Sequence, residues 1–528
     1  MSGRELRLIL MLSLLIAGAC ALGYQRYLLS GIRSPVSETQ FVDEYAKVRA
    51  AEAIDDPLQR CRAYPNPLEL HWDPKVVDAL CKVAARRYVS WREVKKALEE
   101  HRYAWLDEVF EGYAKRNAEP DNHGFVITAY RTIFTDASAG STAALDNWVE
   151  AGPENAIALT ARGYQLLAAA AEARGTRYLR DTAKEKLRRM RDLASRARAD
   201  LEHALKAQPR LIAAHFGLMQ AGQLLGDDEL IGDSARRALA LDPVDDVVYE
   251  KLMSMALPKW GGSIDAMQEL AERARTHADE NPLLLRLGTR LMCMQAEESS
   301  CSADCEPARR SVDLNRYRKA ADTLPAQCFL RYAGGSAYHM GTDPQSVVRY
   351  YVQGYRFLND VDQMNYRAGT LLELGHEDWG REAIDRLIRD QPDDPMTYVN
   401  AGWFVNRPGH YAEAEQQFLK ALELDPLQRK AITELVVDYA WYLHEPVKAQ
   451  KLVDRLKAVE PPPARAWLLQ AEIDHDNPDL RKAGIEKYLQ SIDRDTEDTY
   501  EQRDIKRAKD TLAWLAKVQA ASSKGASP

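Results

Sequence analysis

The sequence lacks the residue patterns that mark the common catalytic and nucleotide-binding sites. It has no GxxxxGK[ST] loop and no GxGxxG after a strand-like run, so the usual phosphate cradles are missing. HExxH and the GxSxG nucleophile elbow are absent as well, and the 11 histidines are scattered. We therefore predict no catalytic residues, no cofactor, no metal site and no small-molecule ligand.

Strand-forming runs and an excess of positive charge are also missing. No stretch alternates β-branched and polar residues for long, which disfavours a sheet. The net charge is -8, and a dedicated nucleic-acid-binding protein needs a basic surface to neutralise phosphates. With 46% hydrophobic and 28% charged residues, the composition suits a folded, all-α body that does not bind nucleic acid.

The N-terminus carries a long uncharged run. Residues 8–25 contain no charged side chain over 18 positions, about the minimum length that spans a bilayer. Arg4 and Arg7 precede it, as in a signal peptide or an anchor with a cytoplasmic N-terminus. The AGAC sequence ending at Cys20 loosely resembles a lipoprotein processing site. Residues 1–30 are thus expected to be a retained inner-membrane anchor, a lipidated leader or a cleaved signal peptide, and all three export the body.

The seven cysteines agree with export. Without Cys20, six remain in two groups, and clustered even numbers of cysteine in an oxidising compartment indicate disulfides. Cys61 is expected to pair with Cys81, because no other cysteine is near in sequence. The second group allows three pairings, and a four-thiolate zinc site or buried free thiols are alternatives; its members are Cys293, Cys301, Cys305 and Cys328.

Helix-ending prolines recur at a fixed interval. The step is 34 residues from Pro209 to Pro243 and again from Pro392 to Pro426, and Pro461 follows after 35. Proline stops a helix because it cannot continue the hydrogen-bond ladder. An internal period of this size indicates repeated helix pairs.

The clearest repeat covers residues 396–426. It alternates small residues, which allow two helices to approach closely, with large residues, which fill the gap between the helices. These residues are Tyr398, Ala401, Gly402, Ala414, Phe418 and Ala421. This pattern resembles the tetratricopeptide repeat. The resemblance implies a right-handed solenoid of antiparallel helix pairs over residues 325–517, which binds proteins along the groove formed by the first helix of each pair. Groove positions would be Met396, Val399, Trp403 and Asn406, with Trp441 and Asp438 in the next repeat.

The middle of the chain, residues 83–320, carries LPKWGGS and several alanine-rich helical runs. It resembles the family called domain of unknown function 4034, which implies a helical fold that accompanies such repeats and no known activity. The LPKWGGS stretch itself predicts a joint between two helices: Trp260 fills the corner, Gly261 and Gly262 permit the turn, and Ser263 caps the next helix. The remaining segments are a cysteine-containing linker with the first helices (31–82) and a disordered tail (518–528).

We therefore predict a non-catalytic protein–protein interaction or assembly scaffold of the bacterial cell envelope. Its body would lie in the periplasm, held to the inner membrane through residues 8–25. One alternative is an enzyme or substrate-binding subunit that acts on an envelope polymer. Another is a regulator or immunity-type partner of a secreted protein. The partner itself is not specified by the sequence.

Overall fold

A computed structural model describes residues 36–68, 70–175, 182–258, 261–299, 317–321, 324–340, 343–358, 360–460, 462–492 and 499–525. Every regular element in these ranges is a helix and none is a strand, which confirms the predicted all-α class. Residues 8–25 and Cys20 lie outside the described ranges. Within those ranges, no helix combines the length and the apolar character needed to cross a membrane.

The first half of the chain contains fourteen of the α-helices that we label here, and a 3-10 turn at Pro282–Leu285. They are α1 (Glu38–Glu52), α2 (Pro57–Ala63), α3 (Pro74–Ala84), α4 (Trp91–Glu99), α5 (Tyr103–Asn117), α6 (Phe125–Ile133), α7 (Ala139–Ala151), α8 (Ala156–Arg174), α9 (Lys184–Ala207), α10 (Ile212–Leu225), α11 (Asp228–Leu241), α12 (Asp246–Met255), α13 (Ile264–Arg275) and α14 (Arg286–Ser299).

The second half continues with α15 (Gln327–Met340), α16 (Pro344–Leu358), α17 (Val361–Glu373), α18 (Glu377–Asp390), α19 (Pro395–Val405), α20 (Tyr411–Leu424), α21 (Arg429–Val437), α22 (Pro446–Lys457), α23 (Arg465–Ile473), α24 (Pro478–Ser491) and α25 (Thr499–Gly525). Because α25 continues to Gly525, the predicted start of a disordered tail at residue 518 is corrected. Residues 518–525 (VQAASSKG) include two alanines, one glutamine and one lysine, which favour helix.

Helix starts recur at the predicted interval. Helices α15, α17, α19 and α21 begin at residues 327, 361, 395 and 429, in three steps of 34 residues. Helices α10 and α12 begin at residues 212 and 246, another step of 34. Each of these helices is followed after a short loop by a second one. The repeated helix pairs expected from the proline spacing are thereby confirmed, while the handedness of the predicted solenoid stays a prediction.

The chain forms two compact units. The first consists of residues up to 343 together with Arg356–Leu358, and the second of Pro344–Tyr355 and the residues from 359 onward. The first unit has an aromatic core in which Phe110, Tyr130 and Trp148 are almost completely buried. The domain boundaries derived from the sequence, including the one between residues 320 and 325, remain predictions.

A disulfide ties the beginning of the first unit together. Cys61 in α2 and Cys81 in α3 are bonded, with Cα atoms 5.4 Å apart. Two hydrogen bonds then join this segment to much later residues of the same unit. Trp72 Nε1 donates to the Ala321 carbonyl at 2.7 Å, and Arg356 Nε donates to the Cys61 carbonyl at 2.7 Å. The disulfide therefore belongs to a buried region in which distant parts of the chain meet, and it does not merely close a local loop.

The second unit packs its helix pairs through the residues that the repeat pattern selected. Tyr398, Ala401, Ala414, Phe418 and Ala421 are all buried. Helix α19 starts with Pro395 in its first turn, and the Asp394 carboxylate accepts the Met396 N–H at 2.8 Å, which caps the helix. The predicted packing role of these residues is confirmed.

Candidate functional site

A π-helical turn interrupts the regular repeats of the second unit. Helix α21 ends at Val437, and Asp438–Tyr442 follow it with wider hydrogen-bond spacing. The Leu443 N–H donates to the Asp438 carbonyl, five residues earlier, at 2.8 Å. His444 then ends the turn with a φ of 55°. Such turns place an extra residue in a helix and are frequent at functional sites.

The π turn holds aromatic side chains at the surface. Tyr442 is 51% exposed and stacks on Tyr411 with ring centroids 4.4 Å apart. Trp441 is 37% exposed and stacks on His475 at 4.0 Å, while its Nε1 donates to the Glu472 carboxylate at 3.1 Å. The rings are held in place by these contacts, so little side-chain entropy remains to be lost when a partner binds.

The π turn begins with a buried carboxylate. Asp438 is 1% exposed; one oxygen accepts a long, 3.4 Å hydrogen bond from Asn406 Nδ2, and Oδ2 has no partner among the described residues. Burial raises the pKa of Asp438 to about 6, the Asn406 hydrogen bond opposes the rise, and the charges of Glu434 and Glu415 add to it. Unsatisfied buried groups are costly, so the turn is not arranged for stability alone.

We call this group of residues the π-turn cluster; it consists of Asn406, Tyr411, Asp438, Trp441, Tyr442 and His475. Three of the predicted groove residues, Asn406, Asp438 and Trp441, belong to it. Val447, five residues after Tyr442 in the chain, is an apolar side chain that is 69% exposed. Exposed apolar groups that lie together are typical of interaction surfaces.

The other predicted groove residues lie elsewhere. Val399 is fully buried in the core of the second unit, which corrects its assignment to an open groove, because α19 buries most of its circumference. Met396 is half-buried against the same core. Trp403 is half-buried too, and the Lys430 ammonium sits 5.5 Å from its ring centre while pairing with Asp362 at 3.6 Å. The ring of Trp403 is therefore covered by this chain's own lysine.

Three members of the π-turn cluster were not selected from the sequence: Tyr411, Tyr442 and His475. The length of the repeat offers one signal by which they could have been found. The step from the start of α21 at residue 429 to the start of α23 at residue 465 is 36 residues, against 34 in the preceding steps. A lengthened repeat indicates an insertion, and the π turn lies within it.

The structure describes three residues of the predicted joint, Gly261, Gly262 and Ser263. Gly261 has a φ of 88°, and a Cβ on Gly262 would lie 2.1 Å from the Ala256 carbonyl oxygen, so both positions need glycine. Ser263 caps α13 by accepting the Ala266 N–H at 3.1 Å. Trp260 lies outside the described residues, and its role as the filler of the corner stays a prediction.

A second disulfide joins Cys293 and Cys328, whose Cα atoms are 6.1 Å apart. This selects one pair from the second cysteine group; Cys301 and Cys305 lie outside the described residues. In the part of the chain that the structure describes, no three histidine, cysteine, aspartate or glutamate side chains are grouped so that they could hold a metal ion.

Comparisons with known proteins add little to this geometry. No protein family matches the chain, so the likeness of its middle part to domain of unknown function 4034 stays a prediction. No curated protein matches it either. Among solved structures, the tetratricopeptide domain of P58(IPK) matches 73% of this chain and 94% of its own at 13% identity and a TM-score of 0.19. Yeast Tom70 matches 83% of this chain and 96% of its own at 10% identity and a TM-score of 0.36. Such low scores carry no argument, and the repeated helix pairs rest on this structure itself.

Proposed function

We propose that the protein is a non-catalytic interaction scaffold, and that the π-turn cluster of its second unit is a contact surface for a protein segment. The observation that carries this proposal is the pair of exposed rings, Trp441 and Tyr442, each fixed by stacking on a neighbour. Tryptophan and tyrosine contribute a large share of binding free energy at protein interfaces. The unpartnered oxygen of Asp438 supports the proposal, because a turn retained despite this cost is typical of a functional site.

The proposal includes a location. The body would work on the periplasmic side of a bacterial inner membrane, anchored through residues 8–25 or lipidated at Cys20. Two features support it: the uncharged N-terminal run and the Cys61–Cys81 disulfide, since such bonds persist in oxidising compartments. A scaffold in that compartment would hold a partner through contacts made by folded helices, with no chemical step of its own.

Site-specific photo-crosslinking in the native cell tests the interaction. A benzoylphenylalanine at Val447, which is 69% exposed and follows Tyr442 by five residues, should capture a defined protein that mass spectrometry can identify. The same residue at Ile264, which is 39% exposed at the start of α13 in the first unit, is the positional control and should not capture it. The crosslinks must also depend on the rings if the π-turn cluster is the contact surface.

A second substitution checks that dependence. Trp441→Ala should reduce the Val447 crosslink at least about tenfold, as expected for an interface anchor worth about 2 kcal/mol. Trp514→Ala removes a tryptophan that is 55% exposed on α25 and should leave the crosslink unchanged. A crosslink that survives Trp441→Ala at full yield, in protein with an unchanged melting temperature, would overturn the proposed contact surface.

A further inference from the structure

A cavity of about 300 Å³ opens in the first unit, far along the chain from the π-turn cluster. Its lining comes from α6, α8, α10 and α12 and from the two residues that follow α6. Apolar side chains such as Phe134, Leu167 and Leu224 make up much of the wall. Cavities of this size, apolar with a few polar groups, are typical of sites for small ligands or single side chains.

Two cations contribute to this lining, Arg131 and Lys251. The Lys251 ammonium donates to the Gln223 side-chain oxygen at 2.6 Å, and this partner is neutral. The Arg131 guanidinium lies 5.3 Å from the ring centre of Phe216. Neither cation forms an ion pair with any described carboxylate. Burial, and then the positive charge of Arg131, lower the pKa of Lys251 to about 8.

Two other enclosed cations of the same unit, Arg162 and Arg286, are paired with carboxylates. Arg162 binds the Asp200 carboxylate with two hydrogen bonds and Asp146 with a third. Arg286 is paired with Asp246 and Glu250. Partly buried charges are normally compensated in this way, because desolvation without a counter-ion is costly. Lys251 is the partly buried cation of this cavity, the exposed Arg131 adds a second positive charge, and no carboxylate of the described lining balances them.

The neutral polar groups of the lining fit an anion as well. The Gln220 amide makes no hydrogen bond to any described residue and is free to donate. The Tyr164 hydroxyl is already committed, since it donates to the Ala213 carbonyl at 2.8 Å. Among the described lining residues there is no aspartate or glutamate. The electrostatics of the cavity thus favour a negative group beside an apolar chain.

We propose that this cavity is a binding site for a carboxylate attached to a short apolar chain, with Lys251 and Arg131 as its counter-ions. At the ~30 Å³ that a water molecule occupies in the liquid, the cavity has room for roughly ten heavy atoms. The carboxylate can belong to a free amphiphile or to an acidic residue of a partner segment flanked by apolar residues. The proposal is independent of the function assigned to the π-turn cluster.

Isothermal titration of the full chain with octanoate tests the proposal, because octanoate has the required head group and about the required size. A blocked Leu-Glu-Leu peptide is titrated in parallel. Saturable binding of either carboxylate at one site is expected, and the tighter of the two identifies the source. Octylamine, which has the same chain and a positive head, should not bind. Failure of both carboxylates to bind would overturn the proposal.

Substitutions then locate the site. Lys251→Met should weaken binding about 10- to 100-fold, the loss expected for a charge-assisted hydrogen bond, whereas Lys251→Arg should retain most of it. Lys115→Met, at an exposed lysine on α5, is the matched control and should have no effect. If Lys251→Met fails to fold, Arg131→Gln, which changes an exposed residue, is the second variant. Binding that is unchanged in both cavity variants would also overturn the proposal.

Discussion

The ring of Phe418 packs directly on the backbone of Gly402, so that a Cβ atom on this glycine would lie 2.4 Å from Phe418 Cε1. The two residues belong to consecutive helices, α20 and α19, and their contact sets the distance between the members of that pair. Phe418 is fully buried, so its ring has little room to move aside.

We expect Gly402→Ala to lower the free energy of unfolding by about 1 to 3 kcal/mol, the usual cost of overpacking a core. Gly369→Ala is the matched control, since a Cβ there meets no atom within 4 Å and Gly369 lies inside α17. That change should stabilise the protein by about 0.5 to 1 kcal/mol, because alanine favours helix. Urea unfolding monitored by circular dichroism measures both, and equal effects of the two variants would contradict the packing argument.

The stability of the first unit should depend on pH through Asp245. Burial, together with the negative charges of Asp246 and Asp242, raises the pKa of Asp245 to about 8. In the unfolded chain this carboxyl ionises near pH 4. Between about pH 4 and pH 8, folding therefore requires the Asp245 carboxyl to take up a proton. Its effect on stability is therefore absent below about pH 4, becomes increasingly unfavourable as the pH rises to about 8, and is then constant.

Asp245→Asn removes this dependence and keeps the helix cap. The Asp245 Oδ1 accepts the Val248 N–H at 3.0 Å, and an asparagine oxygen can do the same. We expect the variant to be more stable than the wild type by at least about 2 kcal/mol at pH 8, and by much less at pH 4. Denaturant titrations at several pH values measure the difference. The exposed Asp265→Asn is the control, and a parallel response in both variants would remove Asp245 as the cause.

Loss of the Cys61–Cys81 disulfide should destabilise the first unit. The bridged cysteines are 20 residues apart, and closing a loop of this length is worth about 3 kcal/mol through the entropy of the unfolded chain. Cys61→Ser, Cys81→Ser and the double variant should lose the same amount, because each breaks the same bond. Thermal unfolding and non-reducing electrophoresis measure this. Unchanged mobility and stability in all three would show that the two thiols are not bonded in solution.

Arg162 should not tolerate lysine. Its guanidinium contacts Asp200 at 2.8 and 2.7 Å and Asp146 at 3.0 Å, which joins α7, α8 and α9. A lysine keeps the charge but cannot form the planar two-point contact, so we expect Arg162→Lys to cost about 1 to 2 kcal/mol. Arg275→Lys, in an exposed pair with Glu272, should change stability by less than about 0.5 kcal/mol. Chemical denaturation distinguishes the two, and a neutral Arg162→Lys would show that geometry does not matter there.

The sequence was sufficient for the helix pairs and their packing residues. Phe418 and Ala414 could be assigned because the 34-residue period repeats small and large residues in fixed positions, and such packing is a local property of two neighbouring helices. Val399 was misplaced for the same reason: spacing alone predicts which helix a residue lies on more reliably than which side of that helix stays exposed. Helix α19 has apolar residues on nearly all sides, so its periodicity did not reveal an open face.

The two candidate sites arise from structural effects that the hydrophobic periodicity of the sequence does not encode. A π turn shifts the following side chains by one residue, and the hydrophobic pattern of α21 is compatible with either register, so the exposure of Tyr442 could not be predicted. The cavity in the first unit joins Arg131 and Lys251, which are distant in sequence and lie on different helix pairs. Both cations resemble ordinary surface residues until the fold shows that neither forms an ion pair with a carboxylate in the described part of the chain.

The hydrogen bond from Trp72 to Ala321 also has a consequence during synthesis. Its two residues are 249 positions apart, so at the usual ~5 to 20 residues per second the acceptor emerges from the ribosome roughly 12 to 50 s after the donor. Arg356, which binds the Cys61 carbonyl, is made later still. The first unit thus cannot close around its own N-terminal segment until about two thirds of the polypeptide exists. A nascent chain of this protein must keep that segment from aggregating or pairing wrongly for most of its translation.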